Sequence, residues 1–237
     1  MNAIIIAAGI GTRLRPLTLS TPKPLIKIFG KPMIERNIEF LLEKGLKKII
    51  IVTGYLGEKF SYLKEKYPEV KLIHNDKFNE YNNIYSFYLI KDYLEDSYIL
   101  EGDIILNKNI FDKNLKESVC FSKKILNFND EWQLITDEND FIKEIKISGK
   151  NNYIISGPRF FIKKDSEKLK ILVEKYCENE EIKKEYFWDN ILKENIDLFR
   201  IKIIGMEESD IYEIDTLEEL INLDSSYKDF MIKGGKK

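Results

Sequence analysis

Residues 1–24 read MNAIIIAAGIGTRLRPLTLSTPKP. The unbroken apolar run from Ala3 to Ala7 is the signature of a strand buried on both faces of a mostly parallel sheet. It breaks at once into Gly9-Ile10-Gly11-Thr12-Arg13, and Lys23 follows between two prolines, Pro22 and Pro24. A buried strand that ends in glycines and cations predicts a ligand site beyond its carboxyl end, as in open α/β sheets.

The chain outward from that strand keeps the alternation of such a sheet. Ile34, Ile38, Leu41 and Leu42 recur at helical spacing between Met33 and Lys44, and Gly45 is a natural terminator. Lys48 to Thr53 then reads as a strand, Gly57 to Lys66 as a helix and Val70 to His74 as a strand. This βαβαβ order implies right-handed crossovers, with helices on both faces. Asn82 to Tyr93 reads as a helix capped by Asn82-Asn83, and Tyr98 to Leu100 as a strand running into Glu101-Gly102-Asp103. Short strands are expected at Val119 to Ser122, Glu131 to Thr136, Phe141 to Ile147 and Tyr153 to Ser156, as an antiparallel or mixed extension. Helices follow at Ser166 to Tyr176 and Phe187 to Glu194, a strand at Phe199 to Ile204 and a helix from Thr216. No linker divides residues 1–230, which read as a single domain, and residues 231–237 read as a disordered tail.

The 237 residues, 43% hydrophobic and 33% charged, describe an ordinary soluble globule with enough chain for a sizeable core. No apolar run approaches the roughly 18 residues of a membrane span. The balance of 38 basic against 40 acidic residues argues against a nucleic-acid partner. Met1-Asn2-Ala3 lacks the basic flank of a signal peptide, so a cytoplasmic location is expected. Cys120 and Cys177 are too few and too far apart for a disulfide framework, and read as reduced structural thiols. His74 is the only histidine, which disfavours histidine-based catalysis.

Glycines after a strand let backbone N–H groups approach a phosphate, because no Cβ intervenes. The dinucleotide fingerprint is incomplete, since its third glycine is Leu14 here, and no Gly-Lys-Ser/Thr makes a P-loop. The loop is therefore either a plain turn or a different kind of phosphate cradle. Arg13 supplies a planar fork and Lys23 a point charge, a pair suited to a triphosphate. Pro22 and Pro24 hold the backbone extended around Lys23; a solvated loop lysine is the plainer alternative.

Ala7-Ala8-Gly9-Ile10-Gly11-Thr12-Arg13 followed by Pro22-Lys23-Pro24 resembles the signature of the nucleotidylyltransferases that make nucleoside-diphosphate sugars. The resemblance continues through Gly54-Tyr55, Asn75-Asp76, Tyr81-Asn82-Asn83, Asp103, Trp188-Asp189-Asn190 and Tyr212-Glu213-Ile214-Asp215, and looks most like the CTP:phosphocholine cytidylyltransferase branch, which serves the decoration of bacterial surface polymers. It implies a three-layer α/β/α domain of the nucleotide-diphospho-sugar transferase type, in which a phosphomonoester oxygen attacks the α-phosphorus of CTP. By the same resemblance, Arg13 and Lys23 are catalytic, and Ala7, Ala8, Gly9, Gly11, Thr12, Gly54, Tyr55, Tyr81 and Asn82 bind the nucleotide. Asp103 and Asp215 hold Mg2+; each also suits a cap or turn, and Glu101 is a weaker metal candidate. Trp132, Phe187, Trp188, Asp189 and Glu213 fall in the segments that line the acceptor pocket, where aromatic faces suit a quaternary ammonium. Phe187 stands where the family pattern usually has tyrosine.

Gly157-Pro158-Arg159 departs from the pattern. Arg159 is either an exposed loop arginine or an acceptor-binding residue for a carboxylate or phosphonate. In the latter case the acceptor is 2-aminoethylphosphonate, phosphoethanolamine or a phosphorylated amino acid such as phosphoglutamine. Two rival readings stay open: a sugar-1-phosphate nucleotidylyltransferase, and a nucleotide-binding regulatory module without turnover.

Overall fold

The apolar run at the amino terminus forms β1 (Asn2–Ala7), buried along its whole length. It belongs to a computed structural model that describes residues 1–126, 131–148, 152–228 and 230. In chain order β1 is followed by β2 (Lys27–Ile28), β3 (Lys31–Pro32), α1 (Met33–Glu43), β4 (Ile49–Thr53), α2 (Tyr62–Lys66), β5 (Val70–His74), α3 (Asn83–Leu89) and β6 (Ser97–Glu101). The second half contains β7 (Ile104–Leu106), β8 (Ser118–Ile125), β9 (Glu131–Thr136), β10 (Ile142–Ser148), β11 (Asn152–Tyr153), β12 (Arg159–Phe161), α4 (Lys163–Tyr176), α5 (Glu180–Glu185) and α6 (Asp189–Glu194). Then come β13 (Ile201–Met206), β14 (Ile211–Glu213) and α7 (Leu217–Leu223).

Eight strands form a mixed, mostly parallel sheet in the order β11-β8-β12-β6-β1-β4-β5, with β13 beside β8. The strands β6, β1, β4 and β5 run parallel. Alternate residues of β1 serve opposite layers. Ile4 and Ile6 pack with Phe87, Leu169, Val173 and Trp188 on one face, while Ala3 and Ile5 pack with Ile34, Ile38, Leu41 and Leu63 on the other. That alternation makes three layers with helices on both sides, as the period-2 geometry of a strand requires.

From β1 the chain winds through β4 to β5, then returns to place β6 on the opposite side of β1. The order therefore reverses between β1 and β6, and the crevice beyond their carboxyl ends is the natural ligand position. Gly9–Arg13 leaves β1 there and Gly102-Asp103 leaves β6 there, tied together by the Gly102 N–H donating to the Ile6 carbonyl at 2.8 Å.

Several local expectations change. Gly157-Pro158-Arg159 is not an exposed loop: Arg159 begins β12, antiparallel to both β8 and β6 inside the sheet. A charged residue masks such a strand in sequence, because its neutralising partners lie far away along the chain. The strand expected at Tyr153 to Ser156 shrinks to β11, whose pairing with β8 stops at Tyr153. The helix expected from Phe187 starts at Asp189, and α5 was not anticipated. The helix after Asn82 ends at Leu89, followed by a separate turn of 3-10 helix at Lys91–Tyr93. The antiparallel pair β7–β14 was also unforeseen, each member being three residues long. The tail at 231–237 lies outside the described residues. Among the described residues no helix is long and apolar enough to cross a membrane.

Candidate active site

The loop after β1 owes its shape to two glycines. Gly11 has a φ of +66°, and a Cβ there would lie 3.1 Å from the Lys23 Cβ and 3.2 Å from the Thr18 Cγ2. Thr18 Oγ1 donates to the Gly11 carbonyl at 2.8 Å and holds the turn. Gly54 abuts the loop from the end of β4: a Cβ would approach the Phe78 Cβ to 2.6 Å and the Ala8 carbonyl oxygen to 2.7 Å. The Tyr55 N–H donates to that same carbonyl at 3.1 Å. Gly54 and Tyr55 thus brace the loop from behind, outside the cleft.

A cleft of about 340 Å³ opens above β1 and β6. Of the residues expected from sequence, Ala7, Ala8, Gly9, Gly11, Thr12, Arg13, Lys23, Tyr81, Asn82, Asp103, Asp215 and Phe187 line it. Asn82 caps α3 by accepting from the Asn83 N–H, and its amide donates to the Glu185 carbonyl at 3.2 Å. The Tyr81 hydroxyl donates to Glu180 at 2.7 Å.

Charge concentrates on the cleft floor. Lys23 Nζ donates to Asp103 Oδ2 at 2.6 Å and to Asp215 Oδ1 at 2.7 Å. The Arg13 guanidinium reaches the same Asp215 oxygen at 2.7 Å while remaining largely exposed. Burial by itself would lower the Lys23 pKa; the two aspartates overcome it and raise the pKa above that of ordinary lysine. The pairing of β14 with β7 sets Glu213 opposite Ile104 and so delivers Asp215 to Asp103.

Asp103, Glu213 and Asp215 each offer a carboxylate oxygen, all within 4.8 Å of one another. Asp103 Oδ1 is buried without a hydrogen-bond partner. An oxygen-only donor set with an unused buried oxygen fits a hard divalent cation. Glu213 was expected on the acceptor side, but the β7–β14 register carries it beside the aspartates. Desolvation and the like charges of Asp103 and Asp215 push its carboxyl up to about 8.

The acceptor-side expectations divide. Phe187 lines the cleft and is 48% exposed. Trp188 does not face it: its ring is fully buried and stacks on Phe87 at 4.8 Å with an interplanar angle of 5°. The Arg159 guanidinium lies 4.2 Å from the Trp188 ring centre. An aromatic in an apolar sheet–helix layer gains more from packing than from facing water. Trp132 is likewise absent from the cleft wall and carries the Lys193 ammonium 5.5 Å from its ring centre. Arg159 is buried, and its Nη1 lies 2.6 Å from Asp189 Oδ1. Neither Arg159 nor Asp189 is part of the cleft lining, because each is held by the other.

Glu101 is the residue that sequence reading undervalued. It lines the cleft, and its Oε1 accepts from the Trp188 Nε1–H at 2.7 Å. Burial, then the charge of Asp189, pushes its carboxyl up to about 8; burial likewise raises Asp189. The signal was its place as the last residue of a buried strand, at the carboxyl end where such sheets bind ligands.

Known proteins resemble this chain in sequence and in fold. The nucleotidyl transferase family model matches residues 2–127. The chain is 42% identical over 229 residues to the choline-phosphate cytidylyltransferase of Streptococcus pneumoniae (strain ATCC BAA-255 / R6), covering 96% of this chain and 99% of that protein. It is 36% identical to the 2-aminoethylphosphonate cytidylyltransferase of Lancefieldella rimae, covering 95% of this chain and 93% of that protein. The solved structure of CTP:phosphocholine cytidylyltransferase from Streptococcus pneumoniae superimposes with a TM-score of 0.91 at 42% identity, covering 95% of this chain and 98% of that one. The cation-lined crevice at the β1–β6 reversal and these likenesses agree, and the chain belongs to the nucleotidyl transferase family.

Proposed function

We propose that this chain, acting as one catalytic domain, transfers the cytidylyl group of CTP to phosphocholine and releases pyrophosphate. The observation that carries the reading is the convergence of Arg13, Lys23, Asp103 and Asp215 in one cleft. An acceptor phosphate oxygen forms a bond to the α-phosphorus of CTP. The bond from that phosphorus to its bridging oxygen breaks, and the electron pair leaves on pyrophosphate. Such a transfer needs positioning and charge neutralisation more than acid-base chemistry, which suits a cleft without histidine.

The Gly9 and Gly11 backbone brings N–H donors to the triphosphate, and the exposed Arg13 fork is free to turn from Asp215 onto phosphate oxygens. Lys23 holds its charge against the developing negative charge of the leaving group. Asp103 and Asp215 would hold Mg2+, with Glu213 beside them. When bound, the ion neutralises phosphate charge and orients the triphosphate.

Phosphocholine is favoured over acidic acceptors by the state of Arg159. Its guanidinium is 3% exposed and paired with Asp189, leaving no free cation for an acceptor carboxylate. The cleft offers Glu101 and Phe187 instead, an acid and an aromatic face suited to a cationic head group. The second acceptor reading is 2-aminoethylphosphonate, favoured by the Lancefieldella rimae relative and by the same acid. The cytoplasm, where nucleoside triphosphates are made, is the proposed location, and a downstream transferase that decorates surface polymers is the proposed consumer of the product.

Incubation with CTP, magnesium and competing acceptors, followed by pyrophosphate release, tests the reading. Phosphocholine should give the highest kcat/KM. Preference for a sugar 1-phosphate overturns it, and CTP binding without pyrophosphate release from any acceptor indicates a regulatory module.

A further inference from the structure

We propose that the β2–β3 hairpin and the lysine-lined hollow beside it form a peripheral membrane-contact surface: Phe29 enters the headgroup region of an anionic phospholipid bilayer, and Lys27, Lys31 and Lys66 meet its phosphates. The hollow shares no lining residue with the catalytic cleft, and the inference is independent of the reaction assigned to that cleft.

Phe29 and Gly30 are the two central residues of the hairpin, since Ile28 pairs with Lys31. Both have positive φ, +50° and +81°. A two-residue hairpin of this kind favours Asn-Gly, because a bulky side chain fits the left-handed region poorly. Phenylalanine there is strained, and its ring gives little back to the core, being 62% exposed. The fold nevertheless holds the hairpin firmly. The Phe29 N–H donates to Asp224 Oδ2 at 2.8 Å, and the Tyr227 hydroxyl donates to the Lys27 carbonyl at 2.6 Å. Tyr227 packs in turn against Phe230, with ring centres 5.7 Å apart, and Phe230 is a second exposed aromatic. A rigid frame thus presents an aromatic ring to solvent in a strained conformation, a combination that marks functional positions.

The chemistry beside the ring is cationic, although the chain as a whole carries a net charge of -2. The hollow, about 530 Å³, is lined by Lys27, Gly30, Lys31, Tyr62 and Lys66 among others. Lys27 is exposed and makes no ion pair among the described residues. Lys31 pairs with Glu39 and Lys66 with Glu35, yet these two lysine side chains remain 43% and 48% exposed. Their acids are turned inward: Glu35, which is buried, accepts from the Tyr62 hydroxyl at 2.7 Å, and Glu39 from the Tyr67 hydroxyl at 3.0 Å. The rim that meets solvent is therefore positive. An aromatic flanked by ammonium groups matches a bilayer with anionic headgroups, where the ring enters the boundary with the acyl chains and each lysine gains from the negative surface potential. A second copy of the chain fits less well, because an isologous contact through this patch would set the lysines against their own copies. With so few groups engaged, the contact is reversible.

Sedimentation with vesicles tests the surface and needs no substrate, so its outcome stands apart from that of the acceptor assay. The wild type should cosediment at low salt with vesicles of equimolar phosphatidylglycerol and phosphatidylcholine, be released as salt rises, and stay in solution with vesicles of phosphatidylcholine alone. Lys27→Gln should weaken partitioning by about 5-fold, and the double change with Lys31→Gln by about 30-fold. Phe29→Asn should weaken it by about 3- to 10-fold. The same change should raise the melting temperature by about 2–4 °C, because asparagine suits the left-handed turn. A melting temperature that falls instead gives the ring a packing role and overturns its assignment. Should Phe29→Asn not fold, the lysine variants decide. Equal binding to both kinds of vesicle, binding to neither, or partitioning that the variants retain in full overturns the proposal. So does a concentration-dependent dimer that Phe29→Asn abolishes, since the patch is then an interface between copies.

Discussion

Lys23 Nζ donates to Asp215 Oδ1 across 2.7 Å, although 192 positions separate the two residues. The same nitrogen contacts Asp103 at 2.6 Å, so a single ammonium spans both carboxylates proposed to hold the metal. Charge pairs of this kind, at the foot of an anion-binding cleft, couple the stability of the site to what occupies it.

Lys23→Ala should lower turnover by roughly 10²- to 10³-fold with the fold retained, because a preorganised cation facing the leaving group is lost. The variant also leaves Asp103 and Asp215 facing each other without their ammonium. Added Mg2+ should therefore raise the melting temperature of Lys23→Ala more than that of the wild type. Initial rates and thermal melts check both, and a near-normal rate removes Lys23 from the chemistry.

Asp215→Asn should raise the Mg2+ concentration needed for half-maximal rate by about tenfold or more, since a neutral amide is a poor ligand for a hard cation. Rates titrated against Mg2+ measure this. An unchanged curve would move the ligand role to Glu213, whose carboxylate belongs to the same cluster.

Arg159→Ala should destabilise the protein by about 3–5 kcal/mol, because Asp189 and Glu101 would lose their shared cation inside the wall. Urea denaturation measures the loss. Asp189→Asn in the same background should recover part of it, since one of the two stranded charges is then removed.

Burial pushes the Cys120 and Cys177 thiols up to about 11. In the unfolded chain these groups deprotonate near the ordinary thiol value of about 8.5. The native state therefore binds more protons above that value, and stability falls as pH rises from it towards 11. Below it the thiols leave stability unchanged with pH. Both cysteines should resist a thiol reagent in the native protein at mildly alkaline pH and react fully in guanidinium; rapid native labelling would show that the interior opens.

The chain's order of residues was enough to reveal the parallel β6-β1-β4-β5 half of the sheet and the glycine and lysine side of the cleft. A run such as Ala3 to Ala7 is buried on both faces, and burial on both faces is written in composition alone. Gly11 and Lys23 were equally legible, because a glycine after a strand and a lysine between prolines are local features. What tertiary structure decided is the pairing of short, distant pieces. Three residues of β14 lie against three of β7 and bring Asp215 to Asp103, and no periodicity can announce a three-residue strand. Trp188 shows the same limit from another side: sequence supplies the aromatic, but only the packed layer determines whether its face meets a ligand or Phe87. Arg159 looked like a surface loop because charge ordinarily avoids the interior. It lies inside because Asp189 and Glu101, one after and one before it in the chain, converge on it in the folded state.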